Sequence, residues 1–313
     1  MISRQVEILN AVFTPMHADG SVNFDRIPAL FEHFTETGSQ GIFLNGTTGE
    51  CMSLTTQERL RLVEAWMAAK ASSESKSKLI VHVGTTNLLE AAEMAKHAEQ
   101  SGADGVSMVA PFYFRPKSTE EIVSQCAYVA QAAPGIPFYY YNIPSLTGVN
   151  FPLTEILELA PKRIPNFAGL KNSFNDLVDY QHALHASQQK HTLYWGTDEV
   201  FMMLYAGGNR NFVGSTYNYM YPYYQRMLKA YLQGDTATVM TLQAEADAIY
   251  RVLTIHNGII AGKEIMRLIG VDCGPVRIPL QKLDQAGKDA IFQKLKKTSF
   301  FESVVSKKDQ IPI

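Results

Sequence analysis

Phe167-Ala168-Gly169-Leu170-Lys171 is the stretch that decides the fold. It is a short apolar run, read as a buried strand, that ends on a lysine. A lysine there is costly to desolvate unless something uses it. Desolvation favours the neutral form of an amine, and a neutral amine attacks carbonyls to form a Schiff base. Two other runs have the same design. Phe138-Tyr139-Tyr140-Tyr141 closes on Tyr141-Asn142, and Gly41-Ile42-Phe43-Leu44 leads to Gly46-Thr47-Thr48-Gly49-Glu50. Three runs that each deliver polar groups at the C-terminal end are what a barrel of parallel strands requires of its catalytic face.

Outward from these runs, the chain repeats strand, turn and helix. Strands are predicted at Val6 to Phe13, Gly41 to Leu44, Leu79 to Val83, Gly105 to Val109, Pro137 to Asn142, Phe167 to Lys171, Thr192 to Trp195 and Asn211 to Gly214. Most are continuously apolar rather than alternating, as parallel strands buried on both faces are. Capping boxes at Thr55-Thr56-Gln57-Glu58 and Ser118-Thr119-Glu120-Glu121 open two helices between them, and Leu88 to Gln100 is a third. Eight such units, joined by right-handed crossovers, predict an α/β fold, a (β/α)8 TIM barrel. After Tyr219 the pattern turns helical. Pro222 to Leu232, Asp235 to about His256, Gly262 to Ile269 and Asp284 to about Leu295 read as helices punctuated by Gly234, Gly258 and Gly270. The expected organisation is a barrel over 1–220 carrying the active site, and a C-terminal helical extension over 221–313.

Composition removes several classes. Of 313 residues, 46% are hydrophobic and 19% charged, which suits a soluble enzyme with a large core. The formal charge is −2 with both signs mixed throughout, so no basic stripe offers a nucleic-acid footprint. No apolar run is long enough to span a membrane. Cys51, Cys126 and Cys273 lie far apart and form no CxxC, which fits a reducing compartment. Met1-Ile2-Ser3-Arg4-Gln5 lacks a signal-peptide layout, so a cytoplasmic location is expected.

Each candidate site residue also has a plainer reading. In Gly46 to Glu50, glycines let the backbone approach a ligand and turn N–H groups toward an anion, while the threonine hydroxyls bind a carboxylate or relay a proton. The same residues would serve as a tight turn before a capped helix. Tyr141 alone could be a half-buried aromatic with a wet hydroxyl, and Lys171 alone could snorkel to water. Standing at equivalent strand ends, the three make those readings less probable together. Gly196-Thr197-Asp198-Glu199 follows the seventh strand, where the carboxylates suit either a helix start or a hydroxyl-rich substrate. Gly214-Ser215-Thr216-Tyr217-Asn218 follows the eighth. His182, His185 and His191 lack a suitably phased carboxylate, so no metal is expected. Neither a GxSxG elbow nor a GxGxxG fingerprint occurs.

With Phe13-Thr14-Pro15-Met16, Ala110-Pro111-Phe112-Tyr113, Tyr140-Tyr141-Asn142-Ile143-Pro144, Gly169-Leu170-Lys171, Gly214-Ser215-Thr216-Tyr217-Asn218 and Arg277-Ile278-Pro279-Leu280-Gln281-Lys282 assembled, the chain resembles the dihydrodipicolinate synthase and N-acetylneuraminate lyase superfamily. The similarity runs from about Asn10 to Leu280 and is nearer the lyase branch. The resemblance implies a class I aldolase that needs no cofactor, with pyruvate, a sialic acid and N-acetylmannosamine as small-molecule partners. It implies Lys171 as the Schiff-base lysine, Tyr141 as proton shuttle and Thr48 as its relay partner. Thr47 and Thr48 would hold the pyruvate carboxylate. Ser173, Gly196, Asp198, Glu199 and Ser215 would bind the sugar, and Tyr113 would reach a neighbouring subunit's site in a homotetramer.

One departure favours the lyase branch. The synthases usually carry an arginine after the catalytic tyrosine to bind a second carboxylate, whereas this loop reads Pro144-Ser145-Leu146-Thr147-Gly148. Leu146 leaves such a charge unsatisfied. Asp198 and Glu199 suit hydroxyl donors and repel an acidic aldehyde. The competing readings are a pyruvate-dependent aldolase of another sugar acid, and a non-catalytic sugar-acid binding protein.

Overall fold

The computed structural model describes residues 6–304. Met1 to Gln5, where the absence of a leader pattern was expected to matter, lie outside the described residues, as do 305–313 of the extension. Eight parallel strands close in sequence order into a barrel: β1 (Glu7–Ala11), β2 (Gly41–Leu44), β3 (Lys78–His82), β4 (Gly105–Val109), β5 (Phe138–Asn142), β6 (Phe167–Asn172), β7 (Thr192–Trp195) and β8 (Asn211–Gly214), which pairs back onto β1. The (β/α)8 TIM barrel is therefore present, with every expected strand in place to within two residues at either end.

The helices are α1 (Ile27–Glu36), α2 (Thr56–Ala71), α3 (Leu88–Gln100), α4 (Thr119–Ala130), the one-turn α5 (Pro144–Thr147), α6 (Leu153–Arg163), α7 (Leu177–Ser187), α8 (Phe201–Ala206), α9 (Tyr217–Leu232), α10 (Thr236–His256), α11 (Gly258–Leu268), α12 (Gln285–Leu295) and α13 (Phe300–Val304). The box opening α2 is complete: Glu58 N–H donates to Thr55 Oγ1 at 3.2 Å, and Thr55 N–H donates to Glu58 Oε2 at 2.9 Å. The box opening α4 is half formed. Ser118 Oγ caps Glu121 N–H, but the Glu121 carboxylate accepts from Lys117 N–H instead.

Two helix starts differ from the sequence reading. Helix α9 begins at Tyr217 and carries Pro222 inside it. It packs against β1 and β8 as the eighth barrel helix, so 220/221 falls within it. The break expected at Gly258 is present between α10 and α11, but α11 already begins at Gly258 rather than Gly262, because Asn257 caps it by accepting from Ile259 N–H at 3.0 Å. Side-chain capping outweighs the low helix propensity of one glycine. Gly234 and Gly270 do end helices, at φ +77° and +88°.

The core has two parts. A large apolar layer lies between the outer strand faces and the helices. A smaller cluster fills the barrel: Leu9, Phe43, Ile80, Tyr139, Tyr141 and Tyr194 are among its members. Burial of Leu, Ile and Phe side chains is worth about 1.5–3 kcal/mol each, so both layers hold the frame rigid around any site at its mouth. Among the described residues no helix is long and apolar enough to cross a membrane.

Candidate active site

Lys171 reaches the barrel interior through a break in the ladder. Phe138 pairs with Phe167, but Tyr139 pairs with Gly169, so Ala168 is an extra residue in β6. This bulge shifts the phase of the strand by one residue. Without it Tyr141 would oppose Leu170; with it Tyr141 opposes Lys171. Gly169 makes the shift possible. Its φ is +148°, and a Cβ there would lie 1.9 Å from the Thr192 carbonyl oxygen.

The result is a lysine that is 4% exposed. Its Nζ lies 4.0 Å from the centroid of the Phe43 ring and 4.0 Å from that of Tyr141. No carboxylate pairs with it among the described residues. Tyr141 is buried, its ring set edge-on to Phe43 and to His82, each at 5.7 Å. Its hydroxyl lies 3.4 Å from Thr47 Oγ1, within reach but longer than a settled O–H···O bond. Thr47 is thus a threonine beside the tyrosine hydroxyl; among the described residues no hydrogen bond joins that hydroxyl to Thr48, the relay partner expected from sequence.

The Gly46 to Glu50 loop is folded onto itself. Gly49 N–H donates to Gly46 O at 3.0 Å, Glu50 N–H to Thr47 O at 3.0 Å, and Thr14 Oγ1 to Gly49 O at 2.7 Å. Among the described residues none accepts from the N–H of Thr47 or of Thr48. Both residues are half-buried at the mouth. Two free amides and two hydroxyls on a glycine-flanked turn form a cradle for an anion.

A pocket of about 260 Å³ opens beside this cluster. Ser173, Gly196, Asp198, Glu199 and Ser215 line it, so the geometry gathers all five sugar-site candidates. Gly196 joins the pocket to the lysine: a Cβ there would lie 2.2 Å from Ser173 Oγ and 3.3 Å from Lys171 Cε. Asp198 is buried and accepts from Thr216 N–H at 2.9 Å and Thr216 Oγ1 at 2.7 Å, both at Oδ2. Gly214 leaves the space for it, since a Cβ would fall 1.6 Å from Asp198 Oδ1. Burial pushes the Asp198 carboxyl up, against the Thr216 bonds that pull it down. Glu199 is exposed on the rim; partial desolvation and the neighbouring Asp198 hold its carboxyl above the usual range.

Leu146 sits 59% exposed on α5, and Tyr113 is 77% exposed beyond β4, edge-on to the equally open Phe114 at 5.1 Å.

Several contributors were not read from sequence. Leu253, Thr254 and Gly258, from α10 and α11, wall the sugar-side pocket. A chain of hydroxyls ties α10 to it: Thr216 Oγ1 to Tyr224 OH at 2.6 Å, Tyr224 OH to Tyr250 OH at 2.5 Å, and Tyr250 OH donating to Asp198 O at 3.1 Å. His82 is buried at the end of β3, with Nδ1 2.9 Å from Asn45 O. Burial first, then the Arg59 and Lys171 cations, lower its pKa well below the ordinary 6.5 and keep it neutral. Its place at a strand end, two residues before Gly84, was the available signal.

Comparison with known proteins places this arrangement. The profile of the Dihydrodipicolinate synthetase family matches residues 4–298, and the chain belongs to that family. Among curated relatives, N-acetylneuraminate lyase from Rattus norvegicus is 38% identical over 297 residues, covering 94% of this chain and 92% of the relative. N-acetylneuraminate lyase from Homo sapiens is 36% identical with the same coverage. Among solved structures, the lyase from Proteus mirabilis superposes with a TM-score of 0.90 at 33% identity, covering 95% of this chain and 100% of that one. The sialic acid aldolase from Aliivibrio salmonicida gives 0.90 at 34% identity, covering 95% and 98%.

Proposed function

We propose that this chain is a Schiff-base aldolase that reversibly cleaves N-acetylneuraminate to pyruvate and N-acetylmannosamine. The observation that carries the reading is a buried, carboxylate-free Lys171 opposite Tyr141, between an anion cradle and a polar pocket. The match to N-acetylneuraminate lyases along nearly the whole chain supports the substrate.

In the cleavage direction, Lys171 Nζ attacks the C2 ketone of the open-chain sugar acid and, with loss of water, forms an iminium. Thr47 and Thr48 hold the adjacent carboxylate through their N–H and hydroxyl groups. Tyr141 takes the proton of the C4 hydroxyl as the C3–C4 bond breaks. The bonding electrons move into the iminium and leave an enamine on Lys171, while C4 leaves as the aldehyde of N-acetylmannosamine. Protonation at C3 and hydrolysis release pyruvate and the free lysine. In the same step the Tyr141 phenol passes its own proton through Thr47, 3.4 Å away, to the bound substrate carboxylate, which returns it at C3 of the enamine. Asp198, Glu199, Ser173, Ser215 and the backbone at Gly196 bind the hydroxylated tail.

The test is borohydride trapping with pyruvate, followed by peptide mapping and a panel of sugar acids. An adduct on Lys171 and preference for N-acetylneuraminate are expected. An adduct elsewhere, or preference for aspartate semialdehyde as condensation partner, would refute the assignment.

The assembly belongs to the same proposal. An exposed Tyr113–Phe114 pair at the barrel mouth fits a homotetramer in which one protomer covers the aromatic pair of another. Sedimentation showing an active monomer would exclude it. Three buried free cysteines suit a cytoplasmic location, which fractionation of cells checks.

A further inference from the structure

Behind the anion cradle lies an ion pair that the reaction does not use. Lys263 Nζ, from α11, sits 2.6 Å from Glu50 Oε1, with side chains 3% and 0% exposed. The other Glu50 oxygen accepts from Arg277 N–H at 2.8 Å, and Lys263 also donates to Pro275 O at 2.8 Å. Both charges are thus desolvated and held. Such a pair is weak evidence for stability, because desolvation offsets most of the attraction. Its location is more telling. Glu50 is the last residue of the cradle loop, and its own φ is +57°, a left-handed conformation that a glutamate keeps only where its surroundings hold it there.

One more contact fastens the same loop, and another ties the segment that makes it to α11. Thr14 Oγ1 donates to Gly49 O at 2.7 Å. Helix α11 lies flush on the neighbouring Phe13, since a Cβ on Gly262 would come 2.4 Å from Phe13 Cζ. The segment after β1 and helix α11 therefore form one backing for the loop whose front presents Thr47 and Thr48.

We propose that the Glu50–Lys263 pair is a positioning device for the pyruvate-carboxylate loop, through which α11 of the C-terminal extension sets the aim of the Thr47 and Thr48 amides and hydroxyls. The inference rests on the anion role given to that loop above. Anion binding by a short turn depends on N–H groups converging on one point, and a small tilt of the loop loses that convergence. The pair touches neither the sugar-side pocket nor Lys171, so its loss is expected to weaken pyruvate alone. Both residues are positioning residues, not catalytic ones.

Three measurements on the full-length enzyme test this. They are the pyruvate concentration that half-saturates borohydride adduct formation, the KM for N-acetylmannosamine in condensation, and Tm. Lys263→Met leaves Glu50 buried without its partner. It is expected to raise half-saturation by pyruvate at least tenfold, to leave the KM for N-acetylmannosamine within twofold, and to lower Tm. The double variant Glu50→Gln, Lys263→Met removes both charges, so Tm is expected to recover. Half-saturation by pyruvate is expected to stay raised, which a purely structural role would not produce. If Lys263→Met does not fold, the double variant decides alone. A double variant that binds pyruvate within twofold of wild type overturns the proposal, as does a folded Lys263→Met with unchanged binding. Wild-type protein that forms no adduct with pyruvate fails earlier and separately, because it removes the reading of the site itself.

Discussion

Lys171 stands near the end of β6 and Glu199 just after the adjacent β7, yet one is 4% exposed between two aromatic rings and the other stands on an open rim. The lysine end is built from strand residues whose direction is fixed by the ladder, by a bulge and by aromatic packing. The rim end is built from loops after β7 and β8, with α10 and α11 brought in as an extra wall. The first arrangement suits bond chemistry, where small displacements of a reacting atom are costly. The second suits recognition, where side chains on a rim change without disturbing the core. Substitutions at the two ends should therefore fail in different ways, in kcat at the lysine end and in selectivity at the rim.

The largest effect is expected at Lys171→Met. Removing the nucleophile abolishes the borohydride adduct and brings turnover to background. Stability should move the other way. The amine is buried without a carboxylate partner among the described residues, so an apolar side chain of similar length is expected to leave Tm unchanged or raised. A clear fall in Tm would mean that the cation holds the barrel together, and the contrast between the two ends would be lost. Tyr141→Phe comes next. The ring keeps its edge contacts with Phe43 and His82, so the fold and pyruvate adduct persist. Loss of the acid–base group is expected to lower kcat by about 10²–10⁴-fold. Near-normal turnover would move the proton path elsewhere.

At the rim, Glu199→Ala is expected to lower kcat/KM for N-acetylneuraminate at least tenfold, since a hydrogen bond to a charged group is worth about 1.5–3 kcal/mol. Pyruvate trapping on Lys171 should be unaffected. Equal losses in both assays would show that the rim and the lysine end are one unit.

What could be read in advance follows the same division. The strand-end lysine, tyrosine and Gly46 to Glu50 loop were legible because parallel strands buried on both faces leave continuous apolar runs that stop where chemistry begins. The bulge at Ala168 was not, because register is a property of two strands and only the pairing with β5 reveals the extra residue. The contact of Thr47 with Tyr141 was not legible for a similar reason: spacing alone does not determine which of two adjacent loop residues faces a neighbouring strand. The wall supplied by Leu253, Thr254 and Gly258, and the Glu50–Lys263 pair, join residues distant in the chain with no local pattern. Pro222 was read as the start of a helix because proline suits a first turn, whereas packing against β1 and β8 extends α9 back to Tyr217; α11 likewise begins at Gly258, under the Asn257 cap, four residues before the expected Gly262.

The smallest effect expected concerns the start of α2, which follows the Gly46 to Glu50 loop. Arg277 forks onto Glu58, with NH1 to Oε2 at 2.7 Å and NH2 to Oε1 at 2.6 Å. That bond chiefly lowers the Glu58 carboxyl from an ordinary 4.5 to about 2. A carboxyl depressed on folding contributes stability above its unfolded pKa, and the contribution is lost as pH falls through the folded value. The pair is partly open to water, so about 1 kcal/mol is the scale, or roughly 1–2 °C in a protein of this size. Glu58→Gln is therefore expected to melt roughly 1–2 °C below wild type at pH 7, with the gap closing as pH falls from about 4.5 toward 2. Because Glu58 also completes the cap of α2 and lies far from the β7 and β8 loops in the chain, sugar selectivity should not change. A gap that persists at pH 2 would place the effect in the cap's shape rather than in its charge. Altered selectivity would show that a change at the start of α2 reaches the rim.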